Sequence, residues 1–210
     1  MNKNLTILLL VAAMALAATA CQHQKPQQEG MSVQQALTGR HSVRSYSDQT
    51  VGETTLLDIL WAANGINRED GRRTAPSAIN AQDILLYACN AEGGFKYDPQ
   101  GKKLEKVTSC DIRPDIRAHN RFIEVTPWVI LLVTDQDKFG EPRPDNHFMN
   151  MGYIDAGIVS ENISLYCTAI GLGTVCCAPK MPVEKVQQTL GLSSRQIPIL
   201  YHPIGYPAEQ

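Results

Sequence analysis

The stretch Arg40-His41-Ser42-Val43-Arg44, followed later by Arg72-Arg73-Thr74-Ala75-Pro76-Ser77-Ala78-Ile79-Asn80, is the part of this 210-residue sequence that best indicates its fold. Two guanidinium groups four residues apart, around a hydroxyl and an imidazole, suit the two-pronged grip that binds a phosphate. Pro, Ser and Asn in the second stretch favour a short loop that presents backbone and amide groups to a polar partner, such as the edge of an aromatic ring system. The two stretches therefore predict an anion-binding loop and a polar recognition loop.

The composition is that of a globular protein, with 43% hydrophobic and 19% charged residues and a formal net charge of −2. A nucleic-acid-binding protein normally has a basic face, so this charge argues against a nucleic-acid partner. The length suits one well-buried domain, which we place at residues 31–210.

The N-terminus is predicted to be an export signal at residues 1–20. Lys3 supplies a positive charge, Leu5 to Ala18 is an apolar stretch too short to span a bilayer comfortably, and small residues precede Cys21. Cys21 in that position resembles the lipidation site of bacterial lipoproteins, although Ala18 and Ala20 would also satisfy the ordinary signal peptidase. Residues 21–30 are polar and fit a flexible tether. We therefore expect an exported protein, periplasmic or held at the outer membrane through lipid on Cys21 alone.

The six cysteines do not form a pattern typical of disulfides or metal sites. Without Cys21 they are odd in number and irregularly spaced. Cys89 and Cys167 lie in apolar runs and are expected to be small buried hydrophobes. The adjacent Cys176 and Cys177 lack partners at zinc-finger spacing, so no metal is expected. The isolated histidines are assigned to surface or structural roles: His119, His147 and His202.

The periodicity of apolar residues predicts a mixed α and β chain. Predicted helices are Met31–Thr38, Glu53–Asn64, Phe148–Ile170 and Val183–Leu190. Predicted strands are Ile84–Cys89, Phe95–Tyr97, Leu104–Val107, Trp128–Thr134, Thr174–Cys177 and Ile197–Ile204. The Trp128–Thr134 run is apolar almost throughout, as expected for a central strand covered on both faces. The long helix has apolar residues on more than one side, which suits a dimer core.

From Arg40 to Pro207 the sequence resembles the nitroreductase superfamily, because several motifs occur in that family's order. They are Arg40-His-Ser-Val-Arg44, Ala75-Pro-Ser-Ala-Ile-Asn80 and Gly171-Leu-Gly-Thr-Val175. Leu60-Trp-Ala-Ala-Asn-Gly-Ile66 and Phe95-Lys-Tyr-Asp98 are similar to the branch that contains the thiazole/oxazole-forming peptide dehydrogenases. No Lys-Tyr pair is securely placed for the base chemistry of azoline oxidation, which argues against that specific activity.

The resemblance implies an α+β fold in which a central, mostly antiparallel sheet is flanked by helices. It also implies a homodimer with two FMN sites at the subunit interface and NAD(P)H as a candidate electron donor. By position, the FMN phosphate and ribityl chain would be held by Arg40, His41, Ser42 and Arg44. The flavin of the partner subunit would be reached by Ser77 and Asn80. The isoalloxazine ring would lie along Cys176, Cys177 and Ala178, with Asn120 near its pyrimidine end.

Each candidate also has a structural interpretation. Two arginines near a helix end are often solvated, Ser77 and Asn80 could be cap or turn residues, and Arg72 and Arg73 suit a solvated loop better than a substrate clamp. The resemblance implies an FMN-dependent oxidoreductase. However, no acidic residue stands at positions 176–178 and no Lys or Arg follows Arg195, so two other functions stay open. One is a lipoprotein that binds flavin or another flat anion without turnover, and the other is a structural partner with an empty pocket. Because NAD(P)H is scarce outside the cytoplasm, export would mean either that another electron donor is used or that the protein oxidises its substrate with the flavin as acceptor.

Overall fold

The computed structural model describes residues 30–141 and 145–208, and Met31–Gln210 form one compact unit. The helices are α1 (Val33–Gly39), α2 (Glu53–Asn64), α3 (Arg113–Ile116), α4 (His147–Ala169) and α5 (Val183–Leu190). The strands are β1 (Ile84–Asn90), β2 (Gly93–Asp98), β3 (Lys103–Thr108), β4 (Trp128–Asp135), β5 (Gly173–Thr174) and β6 (Gln196–Gly205). Short 3-10 turns occupy Ala78–Asn80, Arg121–Glu124 and Gln136–Phe139. The predicted signal at 1–20, Cys21 and all of the tether except Gly30 lie outside the described residues.

The six strands form one sheet in the order β3-β2-β1-β4-β6-β5, and each neighbouring pair is antiparallel. This confirms the predicted α+β class and its antiparallel sheet. β4 lies at the centre and pairs with β1 and β6 along most of its length. Every residue of β4 after Trp128 is buried, as its continuous apolar sequence predicts.

Because successive side chains of a strand point to opposite faces, β1 and β4 contribute to two hydrophobic cores. One core includes Leu86 and Leu132 and is covered by α2 and α4. The other includes Tyr87 and Leu131 and contains residues of α3 and α5. The buried positions of α4 recur every third or fourth residue, from Gly152 to Cys167, so one face of this long helix rests on the sheet.

The opposite face of α4 is uncovered in the single chain, where Tyr153 is 54% and Ile154 is 58% exposed. The sequence predicts burial on several sides of this helix, and within one protomer α4 packs against the sheet, α2 and α1, while the side of Tyr153 and Ile154 stays exposed. Among residues 30–141 and 145–208, no helix has the length and apolar character needed to cross a membrane.

Most predicted elements are confirmed, and two boundaries are corrected. α1 begins at Val33 because Ser32 is its N-cap, in a reciprocal arrangement in which Ser32 and Gln35 bond each other's backbone N–H groups. The strand predicted at Thr174–Cys177 is limited to Gly173–Thr174, with a separate single bridge between Cys177 and Tyr201. Pairing with β6 stops after Thr174 and returns only at Cys177, although Val175 and Cys177 are buried and Cys176 is exposed, as the predicted strand requires.

Candidate functional site

The anion-binding loop predicted at Arg40–Arg44 directly follows α1 and is pinned at Val43. The Val43 side chain is buried, and its backbone N–H donates to the carbonyl oxygen of Thr174 at 3.0 Å. Gly173 makes this approach possible, since a Cβ atom there would lie 2.7 Å from Val43 Cγ1. A single buried anchor therefore fixes the loop and leaves the residues on both sides of it in solvent.

The residues around Val43 form a cationic surface. Arg40, His41, Ser42 and Arg44 are all exposed. His41 Nδ1 lies 2.9 Å from the Gly39 carbonyl oxygen, which orients the imidazole. Within the described parts of the chain, the guanidinium groups of Arg40 and Arg44 make neither an ion pair nor a hydrogen bond. A cleft of about 220 Å³ lies beside the loop, lined by His41, Ser42, Val43, Arg44, Ser45, Pro207 and Ala208. Arg44 lines this cleft and Arg40 lies at the start of the same loop, so two unneutralised guanidinium groups on one loop suit a multiply charged anion such as a phosphate.

The segment Cys176–Ala178 lies next to this loop because β5, which precedes it, is bonded to Val43. Cys176 and Ala178 are exposed, whereas Cys177 is buried and exchanges two backbone hydrogen bonds with Tyr201 at 2.9 and 2.8 Å. Burial raises the pKa of the Cys177 thiol, and the positive charge of Arg44 partly opposes this effect. The structure therefore brings Arg44 and the 176–178 segment, which are far apart in sequence, into electrostatic contact.

Asn120 reaches the same place through Tyr201. Its Nδ2 donates to the Tyr201 hydroxyl at 2.8 Å, and Tyr201 is fully buried on β6. Burial raises the pKa of the Tyr201 phenol, so the group stays neutral and donates to the Arg117 carbonyl oxygen at 3.4 Å while it accepts from Asn120. The sequence gives no sign of this role for Tyr201 beyond its place in a predicted buried strand.

Tyr46 is a second residue that the sequence analysis missed. Its hydroxyl donates to the Val43 carbonyl oxygen at 2.6 Å, and its backbone bridges to Pro207. Burial raises the pKa of Tyr46, which keeps the hydroxyl a donor. Tyr46 thus ties the anion-binding loop to the C-terminal segment that lines the cleft.

Ser77 and Asn80 lie elsewhere in the same protomer. Their loop is attached to α4 at Asp155, whereas Gly39, at the start of the anion-binding loop, packs against Thr168 of the same helix. Thirteen residues of α-helix separate these two attachment points, a distance of about 20 Å at 1.5 Å per residue. Ser77 Oγ accepts from the Gln82 N–H at 2.8 Å, and Asn80 is exposed. One chain alone therefore does not bring Ser77 and Asn80 to the surface formed by Arg40, Arg44 and Cys176.

The prediction of a solvated loop is confirmed for Arg72 and wrong for Arg73. Arg72 is exposed and pairs with exposed Asp70 at 3.4 Å. Arg73 is partly buried and donates to the Asn64 carbonyl oxygen and to Gln82 Oε1, both at 3.0 Å. Burial lowers the pKa of Arg73. The sequence does not show that Arg73 turns inward while its neighbour Arg72 stays in solvent.

The three isolated histidines differ in environment. His119 and His147 are exposed, and His202 is completely buried. Its ring nitrogens lie 2.8 Å from Ser160 Oγ on α4 and 3.0 Å from Thr174 Oγ1 on β5, so it has the predicted structural role. Burial lowers the pKa of His202 to about 3. The five cysteines of the described residues are free thiols, and no group of three or more metal-ligating side chains occurs among those residues.

Comparison with known proteins identifies the class. Residues 37–206 match the model of the nitroreductase family, so the chain belongs to that family. A Methanocaldococcus jannaschii protein whose name places it among the nitroreductases is 26% identical over 89% of this chain and 96% of its own length. A Bacillus subtilis protein named FMN reductase (NAD(P)H) is 25% identical over 83% of this chain and 66% of its own length.

Solved structures agree with this assignment. The crystal structure of a Ralstonia eutropha protein named as a nitroreductase superposes with a TM-score of 0.78 at 28% identity, covering 89% of this chain and 88% of that one. A chain of the Escherichia coli microcin synthetase McbBCD complex superposes with a TM-score of 0.69 at 17% identity, covering 81% and 70% respectively. The latter likeness shows the fold alone.

Proposed function

We propose that this chain is an FMN-dependent oxidoreductase that transfers hydride or electrons from NAD(P)H to a flat small-molecule acceptor. The observation that carries the proposal is the pair of unpaired arginines, Arg40 and Arg44, held by buried Val43 beside the exposed 176–178 segment. Membership of the nitroreductase family supports the flavin, and the name of the Bacillus subtilis relative supports NAD(P)H as donor.

The residues present fit FMN. Arg40 and Arg44 offer planar, permanently charged forks for the phosphate, and the Ser42 hydroxyl and His41 imidazole extend the same exposed edge. Cys176 and Ala178 offer an exposed surface for the ring system, while Cys177 holds this segment in place because its backbone is bonded to Tyr201 and its side chain is buried. When bound, the flavin supplies the hydride-accepting chemistry, and the chain positions it and tunes its surroundings.

We propose that two copies of the chain complete each site, because Ser77 and Asn80 cannot join the anion-binding loop within one protomer. Both α1 and α4 offer exposed apolar side chains as a surface for this contact. They are Val33, 71% exposed, and Leu37, 57% exposed, on α1, and Ile154, 58% exposed, on α4. Large apolar side chains left exposed in clusters are typical of protein–protein contacts.

Sedimentation analysis tests the dimer. The purified chain is expected to sediment as a dimer, and Leu37→Glu or Ile154→Glu to shift it towards the monomer and to weaken FMN binding. Val107→Glu is the control, because Val107 is an exposed apolar residue on β3, outside this surface. A wild-type monomer that binds FMN fully would disprove the shared site.

Absorbance spectroscopy with added FMN tests the cofactor and the phosphate contacts. Arg44→Gln is expected to raise the FMN dissociation constant by about 10-fold or more, since a hydrogen bond to a charged group contributes about 1.5–3 kcal/mol. Lys138→Gln, which removes one positive charge from an exposed turn, should leave the constant unchanged. Equal effects of the two variants would mean that net charge, and not this loop, attracts the ligand.

Thiol labelling tests the ring position. Bound FMN is expected to slow the alkylation of exposed Cys176 by N-ethylmaleimide and to leave exposed Cys110 unaffected. Anaerobic bleaching by NADPH, followed by reoxidation with a quinone or nitroaromatic compound, distinguishes the enzyme from a flavoprotein without turnover. If FMN protects Cys176 but only dithionite, and not NADPH, reduces the bound flavin, the protein binds flavin without turnover.

We further propose export and lipid attachment at Cys21, on the sequence of residues 1–21. In a Gram-negative host grown with labelled palmitate, the wild-type chain should be labelled and Cys21→Ala should not be. Cys110→Ala is the matched control and should keep the label. Unlabelled wild-type protein in the periplasm would indicate secretion without an anchor.

A further inference from the structure

The loop that carries Ser77 and Asn80 has a strained backbone. Ile79, Asn80 and Gln82 have φ angles of 50°, 57° and 51°. This left-handed region is unfavourable for residues other than glycine, and most of all for a β-branched residue such as Ile79. Ile79 is also 81% exposed, so its side chain gains little from packing in this protomer. Contacts from outside the loop must therefore hold this conformation.

The main contact of this kind comes from Asp155 on α4. Both carboxylate oxygens of Asp155 accept from the Ala78 N–H, at 2.9 and 3.1 Å, and Asp155 is only 2% exposed. Ala78 lies between Ser77 and the three strained residues. A buried carboxylate thus fixes the backbone N–H from which the strained turn begins. This bond is a strong one, because hydrogen bonds to a charged acceptor are stronger than those between neutral groups.

Asp155 is itself supported by a second buried acid, Asp83. Asp83 is completely buried and accepts from Thr134 Oγ1 at 2.6 Å, while its Oδ1 has no partner among the described residues. The helix comes close enough for this because Gly152 faces Thr134, where a Cβ atom would lie 2.5 Å from Oγ1. Burial and the negative charge of Asp155 together raise the pKa of Asp83 to about 7, although the hydrogen bond from Thr134 acts in the opposite direction.

The charged and titratable surroundings of Asp83 are simple in the described part of the chain. α4 contributes the carboxylate of Asp155, β4 contributes the neutral hydroxyl of Thr134, and no other ionisable side chain acts on Asp83. Two carboxyl groups in one buried place favour sharing a single proton. Both oxygens of Asp155 accept from the Ala78 N–H, whereas Oδ1 of Asp83 has no partner among the described residues, so Asp83 is the member with an oxygen free to carry the shared proton.

We propose that Asp155 is a positioning residue for flavin binding, which fixes the strained 77–82 loop through Ala78, and that protonated Asp83 keeps Asp155 in place. This inference rests on the proposed function, since it gives the loop its role at FMN. Loss of the Asp83 proton puts a second negative charge beside Asp155, and the repulsion loosens its hold on the loop. FMN affinity should therefore fall as the pH rises through neutrality.

Titration of FMN into the purified full-length protein at pH 6.0 and pH 8.5, followed by quenching of flavin fluorescence, tests the proposal. Asp155→Ala should raise the dissociation constant at least 10-fold at both pH values. Asp155→Asn keeps an oxygen that can accept from Ala78 and should restore part of the affinity. In the wild type the constant should rise several-fold from pH 6.0 to 8.5, and in Asp83→Asn it should not, because the amide mimics the protonated acid.

Controls separate this inference from the proposed function. Titration of the FMN phosphate is common to every variant, so the comparison with Asp83→Asn isolates the protein's proton. Glu184→Ala removes an exposed carboxylate from α5 and should match the wild type. A wild type that binds no FMN at either pH would refute the proposed function. Two results would overturn this inference alone, provided that the wild type binds FMN. One is that Asp155→Asn or Asp155→Ala binds FMN as tightly as the wild type, and the other is that Asp83→Asn has the same pH profile as the wild type.

Discussion

His202 offers a sharp test of how the structure couples folding to pH. It is completely buried between α4 and β5, where the Ser160 and Thr174 hydroxyls satisfy both ring nitrogens. This environment has no negative partner for an imidazolium ion, and burial lowers the pKa of His202 to about 3. The native protein therefore keeps a neutral ring at pH values where an unfolded chain takes up a proton.

The sign and size of the effect follow from proton linkage. An unfolded histidine titrates near pH 6.5, so between about pH 6.5 and pH 3 the unfolded state binds one more proton than the native state. The native pKa is depressed, so this contribution to stability is complete above pH 6.5 and is lost as the pH falls. One proton corresponds to a slope of up to about 1.4 kcal/mol per pH unit, or roughly 2.5 kcal/mol between pH 7.5 and pH 4.5.

The assay is urea unfolding, followed by tryptophan fluorescence at fixed protein concentration, for wild type and His202→Asn from pH 7.5 to pH 4.5. Asparagine keeps polar atoms for Ser160 and Thr174 and removes the titration, so the stability advantage of the wild type should shrink by about 2.5 kcal/mol across this range. His147→Asn, which replaces an exposed ring at the start of α4, should show a constant difference. A difference for His202→Asn that stays flat within about 0.5 kcal/mol would refute the reasoning, because the native core would then accept the proton.

Three further predictions concern other parts of the molecule. For Asp83→Asn, the stability advantage of the wild type should change with pH in the opposite direction to that for His202→Asn. The raised native pKa of Asp83 stabilises the wild type at low pH, and this contribution is lost as the pH rises through neutrality. The same urea series measures this, and a parallel trend in the two variants would contradict the assignment. Gly152→Ala should lower the free energy of unfolding by about 1–3 kcal/mol through a clash with Thr134, despite the better helix propensity of alanine, and a stabilised variant in thermal melts would show that α4 can move away. In the native apo protein at pH 7.5, N-ethylmaleimide should modify the exposed thiols of Cys110 and Cys176 quickly. It should modify Cys89 and Cys167 only after unfolding, because burial raises the pKa of both thiols to about 12. Mass spectrometry of the peptides measures the labelling, and rapid labelling of Cys89 in the native protein would contradict its burial.

The sequence predicts the helices and strands whose apolar residues recur at one regular spacing. Glu53–Asn64 and Val183–Leu190 are helices with the predicted bounds, and the apolar run from Trp128 is the central strand. Local chemistry also explains the loop at Arg40–Arg44, because the only apolar residue within it, Val43, is the one that is buried. These features depend on residues close together in the chain, where spacing decides which side is apolar and which is polar.

Contacts between distant residues are different, since periodicity shows that a face is buried but not what covers it. The inward turn of Arg73 towards Gln82, the bridge from Asn120 to Tyr201 and the bond from Ala78 to Asp155 could not be predicted in this way. The last two join residues 81 and 77 positions apart, and each exists because the sheet order places particular strands and helices side by side.

By itself, then, the amino-acid sequence determined the helices and strands, the family and the loop of free arginines, all of which are written in short-range patterns. Only the tertiary structure decided that Val43 bonds to Thr174, which sets that loop beside Cys176. It also decided that the loop of Ser77 and Asn80 is attached to α4 at Asp155, away from Thr168. The physical reason is that hydrogen bonds and packing between distant segments depend on how the whole chain closes around its two cores, and no local stretch of sequence carries that information.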